Sequence, residues 1–148
     1  MRRALLAILL IWSLPTSGVE VRQPLIAGGL EIFYGVMPAE VLLAHPPDHA
    51  ERTMHGGVPG VGDTYHLVVS LFDSKKRVRI TDAQVQARVS ETGQPLQTKP
   101  LQPMTMAGVI AYGGYFSMTS PGPVHITLDI VRSSGRPPIQ VSFEHHRR

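Results

Sequence analysis

The chain contains no cysteine. That excludes a disulfide framework, a thiolate nucleophile and every Cys-ligated metal site, so any metal would rest on His, Met or carboxylate side chains. Aromatic residues are sparse, at 6% of the 148 residues. No apolar run reaches the ~20 residues of a membrane-spanning helix, and the longest, Ala4 to Leu14, is about half that length. There is no G-x-S-x-G elbow, no glycine-rich phosphate loop between a strand and a helix, and no internal repeat. An excess of one charge is missing as well. Of 14 Lys and Arg residues, Arg2 and Arg3 lie in the first turns, and the remaining 12 face 11 Asp and Glu. The single basic cluster, Lys75-Lys76-Arg77, reads as a solvated hairpin tip, so nucleic acid is not an expected partner.

What is present begins with MRRALLAILLIWSLPTSG: two arginines, an apolar run and small residues around Gly18. This is the build of a secretory signal over residues 1–18, with cleavage expected near Gly18–Val19 and no membrane span left afterwards. The chain is therefore expected in the periplasm or secreted. Residues 19–29 read as a flexible leader, and 30–148 as one domain whose 43% apolar content can fill a single core.

Within that domain the pattern is period two. Leu30, Ile32, Tyr34 and Val36 share one face of a first strand, and Glu40 to Ala44 reads as a short second one. Tyr65, Leu67, Val69 and Leu71 alternate with His66, Val68, Ser70 and Phe72, and both faces are fairly apolar, as in a central strand. Further strands are expected over 78–89, 96–104, 114–118, 124–132 and from Ile139 to the end. Turn formers punctuate the chain every ten residues or so, which predicts an all-β, antiparallel β-sandwich of about seven strands. The stretch 45–63 is rich in proline and glycine and reads as a long loop without regular structure. A loop of that length in a compact domain is usually functional or disordered.

Chemistry is concentrated in soft and imidazole ligands. His45-Pro-Pro-Asp48-His49 has zinc-peptidase spacing, but its two prolines forbid the helix that would put both rings on one face, and the general-base Glu is absent. An enzyme is not expected. Thioethers suit Cu(I) and imidazole suits copper, zinc and iron, so the groups to weigh are His45 with His49, Met54 with His55, Met104 with Met106, and Met118 near His125. The pair His145 and His146 ends the chain and reads as a frayed tail. Met54-His55 is the most pointed signal, since an apolar thioether has little reason to sit in a polar Gly/Pro loop. Met104 and Met106 also admit a plain packing role.

The run LVVSLFD…ITDAQVQARV, followed by LQPM, YGGYF, a Pro-Gly turn and ITLDIVR, resembles small exported immunoglobulin-like domains of the FixH and YtkA-like kind. It is also similar, over about Tyr65 to Arg132, to periplasmic iron-transport accessory proteins that bind copper. There a Met-Pro-Met segment precedes a His-Tyr-Gly turn on a β-sandwich. The resemblance implies Met104 as a ligand, while Ala111 stands where the histidine of that turn would be. The first expectation is thus an exported, non-enzymatic domain that binds copper. Met104, Met54, His55, Met106, His49 and His45 are the candidate ligands, and a transporter or metalloprotein of the cell envelope is the partner. The alternative is a metal-free interaction module using Tyr112, Tyr115 and Phe116 as an interface patch.

Overall fold

A computed structural model of the chain describes residues 23–60, 62–133 and 135–147. The expected signal over 1–18 lies outside the described residues. Among those residues no helix is long and apolar enough to cross a membrane.

The described residues form nine strands: β1 (Leu25–Ala27), β2 (Leu30–Pro38), β3 (Thr64–Asp73), β4 (Arg79–Ile80), β5 (Ala83–Ser90), β6 (Gln97–Met106), β7 (Val109–Ser117), β8 (Val124–Arg132) and β9 (Ile139–His145). All pairings are antiparallel, in the order β1-β2-β3-β7-β6-β5-β8-β9, with β4 beside β3. The sheet curls until β1 lies against β9, so it is nearly closed around one core. Strand alternation fills that core: Leu67, Val69 and Leu71 from β3, Val85, Ala87 and Val89 from β5, and Val124, Ile126, Leu128 and Ile130 from β8 are all buried.

β6 carries the sheet from one half to the other. Its first part pairs with β5, as in Val85 opposite Leu101, and its second part with β7, as in Gln102 opposite Gly113. Each part is hydrogen-bonded on one side only, which lets the strand hold Pro100 and Pro103 without removing a needed ladder donor. On β7, the hydroxyl of Tyr112 accepts from Ala83 N (3.0 Å) and donates to Ile80 O (3.4 Å), fastening the β4–β5 corner to the core.

Several local expectations change. Glu40 to Ala44 is not a strand but part of a 3₁₀ turn, Ala39–Ala44, whose buried Ala39 and Leu42 are three residues apart, the 3₁₀ repeat. The 78–89 strand breaks at Thr81-Asp82, because β4 pairs with β3 while β5 pairs with β6 and β8. The supposed leader contains β1. Most of 105–113 is strand, since Ala107 and Gly108, both at positive φ (48° and 78°), close β6 and β7 in a two-residue turn. The extra strands beyond seven, β1 and β4, have three and two residues, too few for period two to register. The tail is not frayed, for His145 ends β9, is buried, and pairs with Val124.

Core position should dominate stability. Ile126→Ala removes a fully buried side chain and is expected to lower unfolding free energy by about 2–5 kcal/mol in urea titration. Val131→Ala, on the exposed face of the same strand, should stay within about 0.5 kcal/mol.

Candidate metal centre

β3 is buried on both faces. The residues out of phase with the core, His66 and Val68, lie under the 45–63 loop and not in solvent. Val68, Met104 and Ala111 form a second, smaller apolar cluster, with Met54 and Met106 packed against it. Met104 sits opposite Ala111 across the β6–β7 ladder, and Gly113 lies opposite Val68 across the β3–β7 ladder.

Gly113 makes room for two donors. A Cβ on it would lie 2.8 Å from Nε2 of His66 and 2.8 Å from Sδ of Met104. The imidazole nitrogen and the thioether sulfur therefore converge on one point and stand no more than twice that distance apart. A larger residue at 113 would occupy the space between them.

The loop supplies the second imidazole. Its chain folds through a single helical turn, α1 (Ala50–Thr53), and a 3₁₀ turn at Met54–Gly56. Arg52 Nη1 donates to His45 O (3.0 Å) and Leu43 O (3.3 Å), which pins the turn to the preceding segment. His55 takes a left-handed conformation (φ 56°, ψ 26°), uncommon for a side-chain-bearing residue, and Gly56 and Gly57 continue at positive φ. The reversal delivers the His55 ring to within 5.5 Å of the His66 ring, centroid to centroid.

Hydrogen bonding defines the chemistry of these rings. Nδ1 of His55 lies 3.1 Å from Oε1 of Gln102, so with an amide oxygen as acceptor the ring proton is on Nδ1. In the neutral ring Nε2 then carries the lone pair a metal ligand needs, oriented by a hydrogen bond from behind. Nε2 of His55 is buried and has no partner, and neither nitrogen of His66 has one. An unsatisfied buried polar atom costs about 1–3 kcal/mol, and this site accumulates several. Burial, with the nearby His55 adding to it, lowers the pKa of His66 from 6.5 to about 4, so the ring is neutral near pH 7. Tyr115 closes the wall, its ring 4.8 Å from that of His66 and 5.7 Å from that of His55. Its hydroxyl is buried without a partner, and burial raises its pKa.

The structure thus brings together Met104, Met54, His55 and Met106 from the candidate list. It does not add His45 and His49, which stack on one another at 4.5 Å as a pair of their own. Among the described residues no three His, Asp or Glu side chains could share a metal ion, so a site here depends on sulfur. Met118 is core, and His125 faces outward beside Glu144 (3.3 Å), so those two do not make a site. The interface patch is corrected too: Tyr112 and Phe116 are buried in the core and cannot form an exposed surface, and Tyr115 is turned against His66.

Sequence reasoning missed His66 and Gln102. The signal for His66 was its place on a strand apolar on both faces, where an out-of-phase residue meets another layer and not water. The paired Gly113-Gly114 in β7 marked the adjoining space. His55 and His66 bring imidazoles to the face where Ala111 lies.

No protein-family model matches the chain and no curated protein matches it. Its fold is similar to solved structures at low identity. One is a DUF4426 family protein from Pseudomonas aeruginosa, with a TM-score of 0.63 and 14% identity, covering 85% of this chain and 96% of that one. Another is FetP from uropathogenic Escherichia coli as isolated after expression in the periplasm, with a TM-score of 0.63 and 16% identity, covering 84% and 92%. A third is a copper-reconstituted protein from Campylobacter jejuni, with a TM-score of 0.62 and 14% identity, covering 83% and 91%. A variant of FetP was also solved copper-bound. At these identities the likeness establishes the fold that the chains share.

Proposed function

We propose that this chain is an exported, non-enzymatic copper-binding protein that holds Cu(I) on Nε2 of His66, Nε2 of His55 and Sδ of Met104. Met54 and Met106 are further thioethers on the same face, and a transporter or metalloprotein of the cell envelope exchanges the ion. The observation that carries the reading is the convergence over Gly113 of Nε2 of the buried His66 and Sδ of Met104, with the ring of His55, whose Nε2 is also without a partner, 5.5 Å from that of His66. A neutral set of nitrogen and sulfur donors suits a soft monovalent ion better than a hard divalent one. Copper in two proteins of similar fold supports the choice of metal. The basic signal-like N-terminus supports export.

Titration of the chain from Val19 onward with Cu(I) against a competing chelator tests this. The parent should bind one ion, and His66→Leu and Met104→Leu should each weaken binding by at least about tenfold, or ~1.4 kcal/mol. A parent unable to compete for Cu(I) ends the copper reading and leaves the methionines as packing.

Gly113→Ala provides a subtler check. Both groups that its methyl would meet are side-chain ends able to shift, so the fold should survive in circular dichroism while Cu(I) affinity falls. Unchanged affinity would show that the ion does not sit between His66 and Met104.

Protonation gives the pH dependence. His66 is depressed in the folded state, so its contribution to stability is fully present above pH 6.5 and is lost as pH falls toward about 4. The urea midpoint of the metal-free protein should therefore drop across that window. The drop should be smaller in His66→Leu, and NMR of the parent should place the ring's titration near pH 4.

A further inference from the structure

At the opposite end of β2 and β3 from the loop, three connections meet: the β1–β2 turn, the β3–β4 turn and the segment between β8 and β9. Ser74 N donates to Gly29 O (3.0 Å), joining the first two, and Arg132 Nη2 donates to Gly28 O (3.0 Å), joining the third. Between them lies a cleft of about 430 Å³ lined by Arg132, Arg136, Lys76, Asp73 and Asp82. It adjoins a second of about 360 Å³ that adds Lys75.

Arg132 is the anomaly. On β8 it occupies the core-facing phase after Val124, Ile126, Leu128 and Ile130, and it is 6% exposed. A guanidinium is always charged, and buried charges are ordinarily paired. Here no carboxylate among the described residues forms an ion pair with Arg132, and its Nε is buried without any partner. The cleft's own carboxylates do not make up the deficit. Asp73 accepts from the backbone amides of Lys75 (3.0 Å) and Lys76 (2.9 Å) in its turn, and the charges that act on it are those of Arg136 and Lys76, not Arg132. Three cations of this cleft, Arg132, Arg136 and Lys76, thus face two carboxylates, leaving a surplus positive charge in a concave site many times the ~30 Å³ of one water.

We propose that this cleft binds an oxyanion of the phosphate class, with Arg132 as its buried anchor and Arg136 and Lys76 at its rim. The fork of a guanidinium suits two oxygens of a tetrahedral anion, and the surplus positive charge favours one. The site is independent of the metal centre. His66 and Asp73 are seven residues apart on β3, or roughly 23 Å. The anion is either free phosphate or the phosphoester headgroup of an anionic lipid.

Amide shifts of Gly28, Gly29, Lys75 and Lys76, followed by NMR while inorganic phosphate replaces chloride at constant ionic strength, test the proposal. A saturable response confined to these amides is expected, weakened about tenfold in Arg136→Gln through loss of one charge-assisted contact. It should be abolished in Arg132→Met. If Arg132→Met does not fold, the double variant Lys76→Gln/Arg136→Gln carries the test by losing the response. Vesicles of phosphatidylglycerol against phosphatidylcholine separate the sources. Arg136-dependent binding to the anionic vesicles without a response to phosphate identifies a headgroup, and a response to phosphate identifies the free ion. No saturable response to either, or one equal in chloride or unchanged in Arg136→Gln, overturns the site.

Discussion

The chemistry beneath the 45–63 loop follows from one strand being covered on both faces. The alternation of β3 commits Leu67, Val69 and Leu71 to the main core. In most antiparallel sheets the other face would meet water, and a histidine there would be a solvated residue. Because the 45–63 loop lies over that face, His66 is 1% exposed instead. Its neutral ring, its missing partners and its closeness to Met104 all result from this second layer.

The loop itself carries little regular structure, one helical turn and one 3₁₀ turn. Its hold on the sheet comes from a few contacts: Met54 against the Val68–Met104–Ala111 cluster, His55 on Gln102, and Met118 N donating to Asp63 O (2.7 Å) where the loop rejoins β3. Soft donors suit such an arrangement. A thioether packs as an apolar group, so Met54, Met104 and Met106 cluster with Val68 and Ala111 without a dedicated charge. A carboxylate in the same place would have to be desolvated and paired.

The curl of the sheet gives the molecule two ends with different chemistry. Neutral imidazole and sulfur gather beneath the loop, and unpaired guanidinium charge gathers where the β1–β2, β3–β4 and β8–β9 connections meet. Both are exceptions to the pattern around them. His66 is a polar residue on a buried face, and Arg132 is a cation in a core-facing phase. Local violations of an otherwise consistent pattern are where function is expected, because the scaffold must be stabilised elsewhere to tolerate them.

The sequence by itself determined the class of fold and most of its strands, because side-chain alternation is a local signal that any buried sheet face imposes. It also determined the chemical vocabulary: with no cysteine, ligands had to be His and Met, and Met54, His55 and Met104 were legible as a residue type out of place or within a quoted motif. What alternation could not carry was the identity of the layer on the far side of β3. Two- and three-residue strands, the Ala107-Gly108 turn and the 3₁₀ segment at 39–44 were lost for a related reason, since each is shorter than the period that would reveal it. His66, Gln102 and the space at Gly113 come to share one face only because β3, β6, β7 and the loop are brought together. The same holds for Tyr112 and Phe116, which looked like a surface cluster in one dimension and belong to the core in three. Pairing and covering are long-range events, decided by which strands meet, and that information resides in the tertiary structure.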